Sequence, residues 1–175
     1  MGLRRQTPPP GSQDAEQRAL IERLYAEHGP ALLRYLRRLV GTDGDPADLL
    51  HETFLRLWSQ PDLTSIENIR AWLFRVAGNV ARNVHRGADR SRSREQVVGV
   101  LSSPVSAVDE QVAVAQRVGR ALAAVDERAR RALLLFAEGC SYREIAEILD
   151  LEPGHVGVLL QRARDQFRRG SDDSR

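Results

Sequence analysis

The sequence predicts an all-α protein made of two small helical domains joined by a flexible linker. Apolar side chains recur at helical spacing in both halves, and no alternating pattern typical of strands competes with them. A stretch rich in Gly, Ser, Pro and charge interrupts this periodicity in the middle of the chain. The expected organisation is a disordered tail at 1–14, a first domain at 15–88, a linker at 89–109, a second domain at 110–170 and a tail at 171–175.

Four helices are predicted in the first half, at residues 15–27, 30–40, 46–58 and 65–87. Pro30 and Pro46 suit first-turn positions, where the missing N–H costs nothing. Asp45 is a predicted N-cap for the third helix, and Thr64 with Glu67 has the spacing of a capping box for the fourth.

Further helices are predicted in the second half, at residues 110–125 and 127–138 and as a pair within 141–169. Ser141 and Glu144 predict a capping box, and the turn "DLEPG" separates the two members of the pair. The second member has an apolar stripe of Val156, Leu160, Ala163 and Phe167, which leaves Val158 facing outward. This outline is typical of a helix-turn-helix, and an ordinary helical hairpin is the alternative.

The charge of the chain is segregated although its sum is small. The 175 residues carry a net charge of +2, and all 26 basic residues are Arg, whose planar fork suits phosphates and guanine edges. A GC-rich genome would produce the same bias. Residues 41–52 hold four acids and no Arg, whereas residues 67–94 hold seven Arg and two acids. This split indicates one patch for nucleic acid and another for a protein partner.

The predicted helix at 46–58 has two contrasting faces. Its core face is predicted to contain Ala47, Leu50, Phe54, Leu57 and Trp58. Leu49 and Leu55 are predicted on the opposite face within a charged rim, a modest indication of a partner surface. That rim and its two leucines comprise Asp48, Leu49, Glu52, Leu55 and Arg56.

The predicted helix at 65–87 has a polar stripe of Arg75, Asn79, Arg82 and Arg86 opposite an apolar face of Ile69, Leu73, Val76, Val80 and Val84. Gly78 lies on the side of the stripe and would allow a backbone to come close. Trp72 and Phe74 flank it with surfaces on which an unstacked base could rest. The alternative is a solvated basic face with two core aromatics.

Other classes of protein find little support. The single Cys140 excludes a disulfide framework and a cysteine-based zinc site, and it fits a small buried residue. The four histidines are scattered, and no glycine-rich phosphate loop or calcium loop is complete. No apolar run approaches membrane-spanning length. The expectation is a cytoplasmic, non-enzymatic protein with no catalytic residue, metal or cofactor and no membrane insertion.

Three segments in order resemble an extracytoplasmic-function (group IV) sigma factor of bacterial RNA polymerase, in the sigma-70 family. "DPADLLHETFLRLW" resembles the helix that grips the polymerase clamp, and "IRAWLFRVAGNVARNVHR" resembles the helix that reads the −10 promoter element. "GCSYREIAEILDLEPGHVGVLLQRAR" resembles the helix-turn-helix that reads the −35 element. The resemblance covers residues 15–169 and departs most where His155, Gly157, Val158 and Leu159 replace the family's polar residues.

The resemblance implies partners and site residues. The partners are core RNA polymerase, promoter DNA and, as in many members, an anti-sigma factor. The polymerase would be bound by Asp48, Leu49, Glu52 and Leu55. The opened −10 element would be bound by Trp72, Phe74, Arg75, Asn79, Arg82, Asn83 and Arg86, assisted by the loop at 59–66. The −35 element would be bound by His155, Gly157, Val158, Gln161, Arg162 and Arg164.

A second hypothesis is a stand-alone helix-turn-helix regulator or polymerase adaptor that never opens DNA. It explains the C-terminal hairpin but gives Trp72, Phe74 and Leu49 no role. Transcription from a promoter by purified core polymerase separates the two hypotheses.

Overall fold

The computed structural model describes residues 12–41, 44–92 and 109–172. Side chains are described in these ranges except at 12, 13, 84–92, 109–113, 115, 116 and 172. The described residues form α-helices and one 3-10 turn, with no strand among them. The predicted all-α class is therefore confirmed. None of the helices in these ranges has the length and apolarity needed to cross a bilayer.

The first helix, α1 (Ser12–Val40), replaces the two helices predicted on either side of Pro30. Proline inside a helix costs about 3 kcal/mol, because it lacks the N–H for one backbone hydrogen bond. Here the ring of Pro30 is exposed, while Leu24, Leu32 and Leu36 on either side of it are buried. The burial of one continuous apolar face outweighs the break. Residues 12–14, predicted as tail, belong to the helix.

The next helix, α2 (Pro46–Trp58), has the predicted bounds. Asp45 caps it as predicted, because its Oδ1 accepts a hydrogen bond of 2.8 Å from the N–H of Ala47. A 3-10 turn (Leu63–Ser65) follows, and α3 (Ile69–Arg92) begins four residues later than predicted and extends to Arg92. The predicted capping box at Thr64 and Glu67 is wrong: Asn68 Oδ1 accepts from the N–H of Ala71 at 3.0 Å.

Four helices form the C-terminal unit: α4 (Asp109–Ala123), α5 (Glu127–Ala137), α6 (Tyr142–Leu149) and α7 (Pro153–Asp172). The predicted capping box of α6 is confirmed, with Ser141 and Glu144 exchanging hydrogen bonds. Asp126 caps α5 by accepting from the N–H groups of Arg128 and Ala129. Gly139 ends α5 with a φ of +79°, a conformation that side chains disfavour. The predicted linker falls partly on α3 and α4, and residues 93–108 of it lie outside the described residues.

The N-terminal unit (α1–α3) and the C-terminal unit (α4–α7) pack directly against each other. Helix α3 contacts α6, and α1 contacts α5. One continuous cluster of buried apolar side chains runs from Leu32 and Leu73 to Leu135, Ile145 and Leu160. The two expected helical units are present, and they share a core across the interface between them.

Candidate nucleic-acid interface

The buried face of α2 is rotated from the predicted one. It comprises Leu49, Leu50, Thr53, Phe54 and Leu57, while Ala47 and Trp58 are exposed. The predicted exposure of Leu49 is wrong, since only 7% of this residue is accessible. Thr53 can be buried because its hydroxyl donates to the backbone oxygen of Leu49 at 2.7 Å, which satisfies the polar group.

The outward face of α2 presents Leu55 within a charged rim. Leu55 is 47% exposed, as predicted. Glu52 is paired with Arg56 at 2.9 Å, and Asp48 is exposed one turn earlier. Beside them a groove opens between α2 and the first turns of α3. Its lining residues are Glu52, Leu55, Arg56, Ser59, Gln60, Trp72 and Val76.

The predicted polar stripe of α3 lies at the interface between the two units. Asn79 and Asn83 are exposed, and Arg75 and Arg82 are half-buried because the C-terminal unit covers part of them. Arg75 pairs with Glu147 of α6 at 3.3 Å, and Arg82 pairs with Glu127 of α5 at 3.0 Å. The side chain of Arg86 lies outside the described residues. We call Arg75, Asn79 and Arg82 the arginine stripe.

The two aromatic residues beside the stripe differ in exposure. Trp72 is half-buried and lines the groove next to α2. Phe74 is 1% exposed and packs edge-on against Tyr35, with ring centroids 5.4 Å apart. The expectation that Phe74 offers a free surface to a base is therefore wrong, because Phe74 is a core residue in this structure. The alternative given above, a core aromatic, is correct for Phe74. The side chain points into the core because α1 and α3 meet there.

Gly78 allows another part of the chain to come close, as predicted, but the group that comes close is the side chain of Arg131 and not a backbone. Gly78 is buried, and a β-carbon at position 78 would overlap Nη2 of Arg131 in α5. Arg131 is 4% exposed, and its Nε donates a weak hydrogen bond of 3.4 Å to Tyr35 Oη. Its Nη2 has no hydrogen-bond partner in the described part of the chain. A buried donor without a partner is costly.

Sequence reasoning missed Arg131 and the glutamates that face the stripe. A signal for Arg131 existed, because it precedes the core residues Leu134 and Leu135 by three and four positions and so lies on the buried face of α5. No sequence pattern places Glu127 and Glu147 opposite α3, since they belong to the other unit.

A second set of ionic contacts anchors the junction of α5 and α6 to the N-terminal unit. The carboxylate of Glu138, whose side chain is 3% exposed, pairs with Arg34 at 2.9 Å and with Arg38 at 3.1 Å. Arg70 of α3 donates to Glu144 at 2.9 Å and to the backbone oxygen of Glu138 at 2.8 Å. Bonds between charged groups are stronger than neutral ones, and these fix the position of the junction.

Three groups near this junction have shifted pKa values. Partial burial acts to raise the pKa of Glu144, but hydrogen bonds from Ser141 and the charge of Arg70 outweigh it, so the pKa is lowered. Burial raises the pKa of the Cys140 thiol to about 11, and the residue is buried as predicted. Burial also raises the pKa of Tyr35, against the opposing charge of Arg131.

The helix-turn-helix consists of α6 and α7. Ile145, Ile148 and Leu149 of α6 and Val156, Leu160 and Ala163 of α7 are buried, as the pattern predicts. Asp150 takes a left-handed conformation with φ of 53° at the end of α6. Arg128 donates to the backbone oxygens of Leu149 and Asp150 at 2.9 and 3.0 Å, which satisfies the last carbonyls of α6.

The outward face of α7 is open to solvent. Val158 is 72% exposed, the highest value among the large hydrophobic residues whose side chains the structure describes, and Gln161 and Arg162 beside it are exposed. His155 is exposed and Gly157 is half-buried next to the Tyr142 ring. Arg164 lies to one side of this face, with its guanidinium 5.3 Å from the centroid of the Phe136 ring. A shallow groove runs along the face and is lined by Gly157, Val158, Gln161, Arg162, Asp165, Gln166 and Arg169.

Two family descriptions match the chain. Sigma-70 region 2 matches residues 24–91, and sigma-70 region 4 matches residues 115–167. The sigma factor CnrH of Cupriavidus metallidurans is 30% identical over 155 residues, which cover 81% of this chain and 81% of CnrH. The ECF sigma factor SigL of Mycobacterium tuberculosis is 38% identical over 93 residues, which cover 47% of this chain and 52% of SigL. The chain thus spans about half the length of SigL.

Solved structures agree with this assignment. The structure of CnrH in complex with the cytosolic domain of CnrY matches with a TM-score of 0.70 at 28% identity, over 94% of this chain and 96% of that one. Bartonella quintana RpoE, solved with the anti-sigma factor NepR, has the same fold, with a TM-score of 0.62 at 23% identity over 88% of this chain and 98% of that one. The two helical units and the helix-turn-helix of α6 and α7 define the class as all-α proteins with a helix-turn-helix. Within that class, the chain belongs to the extracytoplasmic-function sigma factors of the sigma-70 family.

Proposed function

We propose that this chain directs core RNA polymerase to specific promoters and assists DNA opening at the −10 element. The observation that carries the proposal is that two separate units of one chain each carry a helix face whose side chains suit DNA, the first of which is partly covered by the other unit. One face is the arginine stripe of α3, and the other is the exposed face of α7 around Val158 and Arg162. A stand-alone helix-turn-helix regulator would need only the second face.

The polymerase would bind the outward face of α2. Leu55 is its exposed apolar anchor, and Asp48 and Glu52 form its charged rim. Interfaces concentrate their binding energy in a few apolar anchors surrounded by polar groups, and Leu55 fits this description. Leu49 lies on the buried face of α2 and is not part of this surface.

The opened −10 element would bind the arginine stripe together with Asn83. Arg75 and Arg82 supply guanidinium forks for phosphates, and Asn79 and Asn83 supply amides for base edges. Trp72, at the mouth of the groove beside α2, is the aromatic residue available to an unstacked base. Arg86 is included among the residues proposed to bind the −10 element because of its position in the sequence.

The −35 element would bind the outward face of α7 in the major groove of the duplex. Val158 and Arg162 lie at the centre of that face, with His155, Gly157 and Gln161 around them. Arg164, whose guanidinium lies over the Phe136 ring, would contact the DNA backbone at the edge of the outward face of α7.

The partners we infer are core RNA polymerase, promoter DNA and an anti-sigma factor, and we place the protein in the cytoplasm, where these partners are found. The anti-sigma partner is supported by CnrH and RpoE, which were each solved in complex with a second protein.

The test is transcription in vitro by purified core polymerase with and without the full chain, on fragmented genomic DNA, followed by sequencing of the transcripts. The expected result is a set of transcripts that appears only with the chain and shares two upstream elements. Binding of the chain to DNA without new transcripts would instead favour the stand-alone regulator.

A further inference from the structure

Three side chains at the edge of the outward face of α7 form a stack to which α5, α6 and α7 each contribute one. The guanidinium of Arg164 lies over the Phe136 ring, 5.3 Å from its centroid. Tyr142 packs edge-on against the same ring, with ring centroids 6.0 Å apart. Both distances lie in the range in which an aromatic ring attracts a cation or a second ring. We call Arg164, Phe136 and Tyr142 the aromatic stack.

The aromatic stack lies at the surface although two of its members are aromatic. Phe136 is 41% exposed and Tyr142 is 45% exposed. The Tyr142 ring also lies close to Gly157 of α7, where a β-carbon would be 3.8 Å from it. Tyr142 therefore connects the Phe136 ring to the helix that carries Val158 and Arg162.

Arg164 differs from the other described arginine that lies over an aromatic ring. Arg70 lies 5.6 Å from the centroid of the Phe74 ring and also donates hydrogen bonds to Glu144 and to the backbone oxygen of Glu138. Arg164 forms no hydrogen bond or ion pair with any residue that the structure describes. Stacking uses the face of a guanidinium and leaves the N–H donors in its plane available to an anion.

The anion that suits this position is a phosphate of duplex DNA. Arg164 lies at the margin of the outward face of α7, where the DNA backbone passes when a helix enters the major groove. Arg168 follows one turn later on the same side of α7 and is exposed, so a second cation extends this edge. A stacked arginine has already lost part of its rotamer freedom, so it binds a phosphate at a lower entropic cost than a free one.

We propose that Phe136 is a positioning residue for DNA binding. Its ring, supported edge-on by Tyr142, holds the guanidinium of Arg164 where it meets a phosphate of the duplex. The proposal rests on the proposed function in one respect, namely that the outward face of α7 binds DNA.

The test is a double-mutant cycle between Phe136 and Arg164 in the full chain. Phe136→Leu removes the aromatic face and keeps an apolar side chain, and Arg164→Ala removes the cation. The affinity of each protein for a fluorescein-labelled duplex DNA of mixed sequence is measured at several salt concentrations, because phosphate contacts do not depend on sequence. Circular dichroism reports the helicity of each variant.

Two further variants serve as controls. Phe136→Tyr retains an aromatic ring at the same position. Tyr25→Leu removes a different aromatic residue, which is 50% exposed and packs against Phe54 with ring centroids 4.9 Å apart. Among the described residues, no arginine lies over the Tyr25 ring.

Arg164→Ala should weaken binding and reduce the slope of log affinity against log salt concentration by about 0.9, the value for one phosphate contact. Phe136→Leu should weaken binding about twofold to fivefold, the range that a cation–π contact at an exposed site supports. Phe136→Leu should have no further effect when Arg164→Ala is already present, because there is then no guanidinium to position. Phe136→Tyr and Tyr25→Leu should bind as the wild type does, and helicity should be unchanged in every variant.

Wild-type affinity in Phe136→Leu would overturn the proposal, as would an equal loss with and without Arg164. A loss in Phe136→Tyr or Tyr25→Leu as large as that in Phe136→Leu would also overturn it, and so would no measurable binding of the wild-type chain to the duplex. The proposed function fails separately, if the cycle gives the expected result while the wild-type chain supports no promoter-specific transcription with core polymerase.

Discussion

Gly78 of α3 lies against the guanidinium of Arg131 of α5, at the point where the two units of the chain meet. A β-carbon at position 78 would overlap Arg131 Nη2 and would lie 3.0 Å from Tyr35 Oη. Arg131 and Tyr35 are both buried, and the end of the Arg131 side chain has to shift before a β-carbon fits at position 78. The absence of a side chain at position 78 thus permits the position that the Arg131 guanidinium takes between the units.

Gly78→Ala should loosen the packing between the units while leaving α3 helical, because alanine favours a helix by about 1 kcal/mol over glycine but displaces the Arg131 guanidinium. The measurement is the radius of gyration by X-ray scattering together with helicity by circular dichroism. Gly119→Ala in α4 is the matched control, since nothing lies within 4 Å of its added β-carbon. If both variants scatter like the wild type, the contact at Gly78 is looser than the structure indicates.

Leu55→Asp should abolish binding to core polymerase with little change in melting temperature, since Leu55 is exposed and packs against no core. Leu49→Asp should instead destabilise the fold by about 3 kcal/mol or more, because it places a carboxylate in the core. Pull-down with core polymerase and thermal unfolding of each variant separate the two effects. Core binding by Leu55→Asp at wild-type affinity would show that the polymerase uses another surface.

Lowering the pH should weaken the junction of α5 and α6. The pKa of Glu144 is lowered in the folded chain, so its contribution to stability is present above the ordinary pKa of 4.5 and is lost as the pH falls through the folded value. Glu144→Gln should therefore be less stable than the wild type at neutral pH, with a difference that shrinks below about pH 4. Thermal unfolding across this range tests the expectation. Glu152→Gln, at an exposed position, should show no such trend.

Local signals in the sequence were sufficient for most helices. Asp45 and the pair Ser141 and Glu144 begin helices through hydrogen bonds that involve only near neighbours, and each lies where the pattern predicts it. Pro30 misled the prediction because a local penalty of about 3 kcal/mol was offset by burial along the whole of α1. Such burial depends on α2 and α3, which a local pattern does not contain.

The candidate site was less predictable because much of it depends on contacts between units. Periodicity separates the inside of a helix from its outside, and it placed Val158 and Leu55 correctly in solvent. It failed for Leu49, because α2 packs against both α1 and α3 and a hydrogen-bonded Thr53 joins its buried face. Periodicity could not show that Arg75 and Arg82 pair with glutamates that lie 72 and 45 positions later in the chain.

Arg162→Ala should weaken binding to the −35 element by about 1 to 3 kcal/mol and relax the preference at one guanine, because a guanidinium fork matches the two acceptors of that base. Arg162 is exposed beside Val158 on the outward face of α7, so its loss should leave the fold intact. Binding to a set of duplexes with single-base changes measures both effects. A uniform loss across all sequences would identify Arg162 as a phosphate contact.

Val158 should read a thymine methyl in the −35 element. Val158 is 72% exposed at the centre of the face of α7 that we propose to meet DNA, so it has no packing role within the chain. An apolar side chain can contact the methyl group that thymine presents in the major groove. Replacing thymine by uracil removes only that methyl. A uracil scan of the duplex should therefore weaken wild-type binding at one position and leave Val158→Ala almost unaffected there. A scan that affects both proteins alike would eliminate the methyl contact and would leave Val158 as a contact for a protein partner.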